Sequence, residues 1–197
     1  MDHPLSTDVV TDGLTPHEVT LSPNGRHLAY TLAPLAQTTP RPVNTLWVTG
    51  IDGTAPRPLT DGTFAVHRPR WSPDDRLYFL TDRTDCLAGR THQSPLAPGL
   101  HRIEADGTGH RSLTDPRTTV VDHLPLPDKT TVALVVADPE PPDDAPREWG
   151  RHQPHHRLAL LDLPSGATRT ITGLGEHHVL HIAARPDGAH LAVITHP

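Results

Sequence analysis

Cysteine is almost absent. Cys86 is the single one in 197 residues, which excludes an internal disulfide and fits a reducing compartment. Lysine is equally scarce, with Lys129 alone. Seventeen Lys and Arg stand against 23 Asp and Glu, a formal net charge of −6, so the chain lacks the basic stripe that a nucleic-acid backbone requires. No apolar run approaches the length of a membrane span. The opening Met1-Asp2-His3-Pro4 has neither a charged n-region nor an apolar h-region, so no secretory signal is read there. A cytoplasmic location, with no nucleic-acid and no membrane partner, is the expectation. A sustained helical period bounded by caps is missing as well, so no helix is required anywhere.

Proline is what the chain has in excess, with 23 residues, as fits short strands joined by many turns, though genomic base composition would give the same bias. Trp71-Ser72-Pro73-Asp74-Asp75-Arg76 reads as a tight turn, because Pro73 presets φ and Asp74 can bond its own backbone. Leu77 to Leu80 follows as an apolar run of strand length. The unit recurs at Ser22-Pro23-Asn24-Gly25, Leu126-Pro127-Asp128-Lys129 and Arg185-Pro186-Asp187-Gly188. From Pro23 to Pro73 is 50 residues, from Pro73 to Pro127 is 54, and from Pro127 to Pro186 is 59. A left-handed φ is expected at Gly25 and Gly188, whose places are held by Asp75 and Lys129 in the other two copies.

A second marker keeps the same spacing. Leu46-Trp47-Val48, Leu100-His101-Arg102 and Leu158-Ala159-Leu160 each run into a Gly turn, at Asp52-Gly53, Asp106-Gly107 and Ser165-Gly166. Each then closes on Leu59-Thr60-Asp61, Leu113-Thr114-Asp115 or Ile171-Thr172-Gly173. Four short antiparallel strands per repeat of about 40–50 residues is the pattern of a β-propeller blade. The fold class expected is all-β, a partial β-propeller of about three and a half four-stranded blades. A leader occupies 1–13, and the propeller 14–197 has blades at about 14–62, 63–116 and 117–174 and a half blade at 175–197. Propellers close with typically 4–8 blades, so the chain reads as the front part of a longer protein. The long connections, 33–43, 82–98 and 138–156, all join the second and third strands of a blade and so fall on one face. Trp47, Trp71 and Trp149 read as residues that pack blade on blade.

The Trp71-Ser72-Pro73-Asp74 turn, the Asp52-Gly53 and Asp106-Gly107 turns, the Leu-Thr-Asp closures and the run from Glu148 to Asp162 resemble the N-terminal propeller of the prolyl oligopeptidase family of serine peptidases. The acylaminoacyl-peptidase and dipeptidyl-peptidase-like branch is the most similar. The resemblance spans about Thr15 to Pro197, and TolB-like propellers share its turn motif. It implies a propeller that covers a C-terminal hydrolase domain and limits substrate size. The partners implied are that hydrolase domain or the remaining blades, and a peptide substrate. The alternative is a TolB-like interaction module without a hydrolase. None of Ser6, Ser22, Ser72, Ser94, Ser112 and Ser165 stands in a Gly-x-Ser-x-Gly elbow, so no catalytic residue is assigned. A propeller glutamate holds the substrate's amino group in some relatives, which makes Glu148 the candidate substrate contact. Blade faces without neighbours and a bare strand edge lead to an expectation of self-association.

Sixteen histidines raise the question of a metal. His152, His155 and His156 form one cluster, and His177, His178 and His181 another. Neither has a carboxylate or cysteine at a recognised ligand spacing, so no metal and no cofactor is expected, with His152, His155 and His156 kept as the candidates. The remaining histidines read as exposed positions. Cys86 reads as an inert surface thiol.

Overall fold

The computed structural model describes residues 13–36, 43–81, 98–139 and 155–197. All regular structure among them is strand. The fourteen strands are β1 (Leu14–Leu21), β2 (His27–Pro34), β3 (Thr45–Gly50), β4 (Arg57–Pro58), β5 (Val66–Trp71), β6 (Arg76–Thr81), β7 (Gly99–Glu104), β8 (Arg111–Ser112), β9 (Val120–Pro125), β10 (Thr131–Ala137), β11 (His156–Asp162), β12 (Thr168–Thr170), β13 (His178–Ala184) and β14 (Leu191–His196). They form three four-stranded sheets, each in simple sequence order, and a two-stranded sheet of β13 and β14. Sequential antiparallel order needs only short turns between neighbours, which the Pro-Asp, Pro-Asn and Asp-Gly runs supply.

The turn that joins the first two strands of each sheet is built the same way in three of the four sheets. Ser22 N donates to His27 O at 2.9 Å, and Gly25 N donates to Ser22 O at 2.9 Å. The counterparts are Leu126 N to Thr131 O, and Arg185 N to His190 O, both 2.9 Å. In the second sheet the turn is one residue shorter, with Ser72 N donating to Arg76 O at 2.8 Å. Leu21 opposite Leu28 and Trp71 opposite Leu77 are therefore the same cross-strand pair, one blade apart. All four turns hold a left-handed residue: Gly25 at φ 69°, Asp75 at 60°, Lys129 at 63° and Gly188 at 73°. The left-handed place thus belongs to the turn geometry, not to glycine alone.

The chain falls into two compact units, Met1–Arg83 with His101–Arg111, and Thr84–Leu100 with Ser112–Pro197. In the first, Ala29, Leu46 and Val48 of one blade pack against Val66, Trp71, Leu77, Phe79 and Ile103 of the next. Trp71 also donates its indole N–H to Thr20 O at 3.3 Å. The bulges of β1 and β5 meet here: Arg68 N donates to Glu18 Oε2 at 3.1 Å. In the second unit, Ala133, Val135 and Leu158 pack against Val179 and Ile182, with Leu191 and Val193 beside them. Fully burying a Leu, Ile or Phe side chain contributes about 1.5–3 kcal/mol, so these seams are the main cohesive contacts of each unit. Phe79 is nearly fully buried, and its truncation to alanine would cost about 3–5 kcal/mol.

Trp71 stands in its seam as the repeat predicts. Trp47 does not: it is only half-buried, on the opposite face of its sheet from Ala29 and Val48. Trp149 and Cys86 lie outside the described residues.

Candidate functional site

A small open hollow, with room for about one water molecule, lies in the first unit. Thr60 and Asp61 follow β4, Phe64 and Val66 open the next blade, Phe79 and Thr81 come from β6, and His110 precedes β8. The closure of the first blade shapes one wall. Leu46 N donates to Thr60 Oγ1 at 3.0 Å, and Thr63 N donates to Asp61 Oδ1 at 3.0 Å. The Leu-Thr-Asp sequence is what places both acceptors. The same closure recurs at Thr114, whose Oγ1 accepts from Leu100 N at 3.0 Å.

The opposite wall is aromatic. The rings of Phe79, His101 and His110 stack on one another, with centroids 5.9, 5.7 and 5.3 Å apart for the three pairs. Nδ1 of His101 lies 3.2 Å from Nε2 of His110. Such a pair is joined by one proton, carried by either ring, because two N–H groups would oppose each other. His101 is 5 % exposed, so this imidazole is held by packing, while His110 reaches the hollow. The arrangement can accept or donate a single proton to a small polar group beside an apolar floor. Among the described residues the lining offers the Thr60 and Thr81 hydroxyls.

Of the residues singled out from the sequence, Glu148 and His152 lie outside the described residues. His155 and His156 are described, and the fold gives both the same neighbour, His178. The His156 and His178 rings are 4.0 Å apart between centroids, and those of His155 and His178 are 6.2 Å apart. His156 N lies 3.4 Å from His178 Nδ1. Burial, then the neighbouring His178, push the pKa of His156 below its ordinary value. His177 and His181 are exposed. Among the described residues no three His, Cys, Asp or Glu side chains converge on a point where a metal ion could sit. Beside the histidines, Arg157 ties β11 to the segment before β13. Its Nε donates to Asp138 Oδ2 at 3.2 Å, Nη2 to Glu176 Oε2 at 3.2 Å, and Nη1 to Gly175 O at 2.9 Å.

The His101–His110 pair was not legible as a site. The sequence reading placed histidines outside the two clusters at exposed positions, yet His101 and His123 are buried. The available signal was the repeat: His101 stands where the first blade has Trp47, an aromatic position of the third strand.

No protein-family model matches the chain, and no curated protein sequence matches it. Solved structures do. A puromycin-hydrolyzing peptidase of Mycobacterium tuberculosis superposes with a TM-score of 0.63 at 14 % identity, over 93 % of this chain and 28 % of that one. Acylaminoacyl peptidase of Pyrococcus horikoshii gives 0.60 at 10 % identity, over 83 % and 26 %. TolB of Acinetobacter baumannii gives 0.52 at 15 % identity, over 93 % and 44 %. The chain spans less than half the length of each of these three. At such identities the likeness is one of fold. The protein is an all-β partial propeller of three four-stranded blades and a two-stranded one, of the TolB and peptidase-propeller type.

Proposed function

We propose that this chain is the non-catalytic propeller portion of a prolyl-oligopeptidase-like serine peptidase, where it covers the active site and limits the size of the peptide substrate. The observation that carries the reading is the pairing of coverage. The chain matches the two peptidases over 83 % and 93 % of its own length but only 26 % and 28 % of theirs. The absence of a Gly-x-Ser-x-Gly elbow supports a covering role rather than a catalytic one. Its partners in that reading are a hydrolase domain or further blades, in the cytoplasm, with Glu148 as the candidate contact to the substrate's amino group. The second reading is a TolB-like interaction module without a hydrolase. It is favoured by the larger share, 44 %, that the chain covers of a TolB.

One measurement separates these, and a second tests the non-catalytic assignment that both share. Sequencing the gene downstream of the Pro197 codon reads the answer directly: further blades and then a Gly-x-Ser-x-Gly elbow support the peptidase reading, and further blades followed by a stop support the TolB one. The purified chain is then treated with a fluorophosphonate probe and chromogenic acyl-aminoacyl substrates. Neither labelling nor turnover is expected, and stoichiometric serine labelling would overturn the non-catalytic assignment.

A further inference from the structure

Asparagine occurs twice in the chain, as Asn24-Gly25 and as Asn44-Thr45. Asn24 is exposed, in the turn between β1 and β2. Its place is held by aspartate in the other three turns of this kind, at Asp74, Asp128 and Asp187. The side-chain oxygen is an acceptor in all four. Asn24 Oδ1 accepts from Arg26 N at 2.8 Å, as Asp128 Oδ1 accepts from Thr130 N and Asp187 Oδ1 from Ala189 N, both at 3.0 Å. Ser22 Oγ accepts from His27 N and donates to Asn24 Oδ1, each at 2.9 Å. Ser72 Oγ likewise donates to Asp74 Oδ1 at 2.6 Å.

An amide differs from a carboxylate in that its nitrogen can be displaced. The backbone nitrogen of the following residue can attack Cγ, close a five-membered imide and expel the side-chain nitrogen as ammonia. Two features of this turn favour the attack. Residue 25 is glycine, and nothing lies within 4 Å of where its Cβ would stand, so the attacking nitrogen is not crowded. Negative charge gathers on Oδ1 as the new bond forms. The Arg26 N–H and the Ser22 hydroxyl already point at that oxygen, as the donors of an oxyanion site do. The cost is one hydrogen bond, Gly25 N to Ser22 O at 2.9 Å. Asn44 is followed instead by Thr45, whose branched Cβ crowds the nitrogen.

We propose that this turn activates Asn24 for spontaneous deamidation in the folded protein. Gly25 N bonds to Cγ and loses its proton to solvent. The Cγ–Nδ2 bond breaks, and Nδ2 takes a proton from solvent and leaves as ammonia. Water then opens the imide at either carbonyl. Opening between Cγ and Gly25 N restores the main chain and leaves aspartate, the residue of the other three turns. Opening between the backbone carbonyl carbon and Gly25 N leaves isoaspartate, with one more methylene in the main chain. The first product keeps the acceptor for Arg26 N. The second lengthens a turn that Gly25 N closes on Ser22 O. It also disturbs a link to the next blade, where Asn24 N donates to Asp75 Oδ1 at 3.3 Å. The inference rests on the turn alone, and loss of the peptidase reading leaves it untouched.

The test incubates the folded chain at mildly alkaline pH and maps its peptides by mass spectrometry over time. Electron-transfer fragmentation tells isoaspartate from aspartate. Both products are expected to accumulate at residue 24 while Asn44 stays intact. Ser22→Ala removes one donor to Oδ1 and is expected to slow the reaction several-fold. Ser22→Thr keeps the hydroxyl and should keep the rate. Ser22→Ala also takes an acceptor from His27 N, so a second comparison needs no variant: the parent is followed folded and in guanidinium chloride. Asn24 is expected to react at least as fast folded as unfolded. A slower reaction in the folded parent, a Ser22→Ala rate equal to the parent's or higher, or equal rates at Asn24 and Asn44 would each overturn the proposal.

Discussion

Gly25 and Lys129 hold the same left-handed backbone, φ 69° and 63°, at the same place in the same turn of two different blades. Nothing lies within 4 Å of where a Cβ on Gly25 would sit, so the constraint there is the backbone angle and not space. A lysine in this region is strained by its Cβ, whereas glycine is not. Lys129→Gly is therefore expected to raise stability by up to about 1 kcal/mol, despite the added freedom of the unfolded chain. Gly25→Val is expected to lower it by roughly 1 kcal/mol or more, and to cost more than Asp75→Ala, where a non-glycine residue already occupies φ 60°. Urea melts of the three variants check the order. A neutral or destabilising Lys129→Gly would contradict the strain.

The threonine of each Leu-Thr-Asp closure has a defined duty. Thr60 and Thr114 each accept a hydrogen bond from the amide of a fully buried leucine, Leu46 or Leu100, at 3.0 Å. Valine has nearly the same shape and no acceptor. Thr60→Val or Thr114→Val would leave a buried amide unsatisfied, at a cost of about 1–3 kcal/mol each. Serine keeps the oxygen, so Thr60→Ser should recover most of that loss. Denaturant titrations of the valine and serine variants distinguish the bond from the methyl group: equal losses for Thr60→Val and Thr60→Ser would show that packing matters and the hydroxyl does not.

The strands were readable because each repeat writes them twice, once in its turn chemistry and once in its apolar run. Thr131 to Ala137 was legible to the residue, since β10 is buried on both faces and reads as continuous Val, Ala and Leu. Ends were less legible where tertiary hydrogen bonds, and not propensity, decide them: the stretch from His110 to Thr114 yields only Arg111–Ser112 as strand. The shorter turn at Ser72 was hidden, because Pro73 and Asp74 keep the motif while a residue is missing from the loop. The His101–His110 pair was hidden for another reason. It joins a strand to a loop across a Gly turn, and only the folded turn brings the two rings together.

Arg57 makes a link within the first unit that no pattern in the chain announces. Its Nη1 donates to Asp106 O at 3.1 Å and its Nη2 donates to Ala105 O, so one guanidinium holds β4 to the turn after β7. The fork is what matches two successive carbonyls, and an ammonium cannot reproduce it. Arg57→Ala is expected to cost about 1–2 kcal/mol, at the low end for bonds to a charged donor because the site is partly open to water. Arg57→Lys should recover less than half of it. Trp47 and Trp71 lie in the same unit, so their fluorescence on urea unfolding can follow the loss. A lysine variant as stable as the parent would mean that charge, and not the paired geometry, is what counts.

His156 supplies a pH dependence. Its ring packs on His178 at the seam between β11 and β13, with His155, Arg157, Asp138 and Glu176 as the charged or titratable neighbours. Burial and His178 hold its pKa below the ordinary value, so the folded chain takes up this proton less readily than the unfolded one. The contribution of the neutral ring is complete above about pH 6.5, the unfolded value, and is lost as pH falls through the depressed native pKa. Below that window both states carry the proton and the loss is complete. Amide hydrogen exchange of β13, corrected for the intrinsic effect of pH, is therefore expected to quicken as pH is lowered from 7.5 to 5. The chain has sixteen histidines, so the comparison that isolates this seam is His156→Gln. That variant should begin with less protection at pH 7.5 and lose little more on acidification. If parent and variant lose protection in parallel, the acid sensitivity of β13 arises from other groups and the His156–His178 contact is pH-silent.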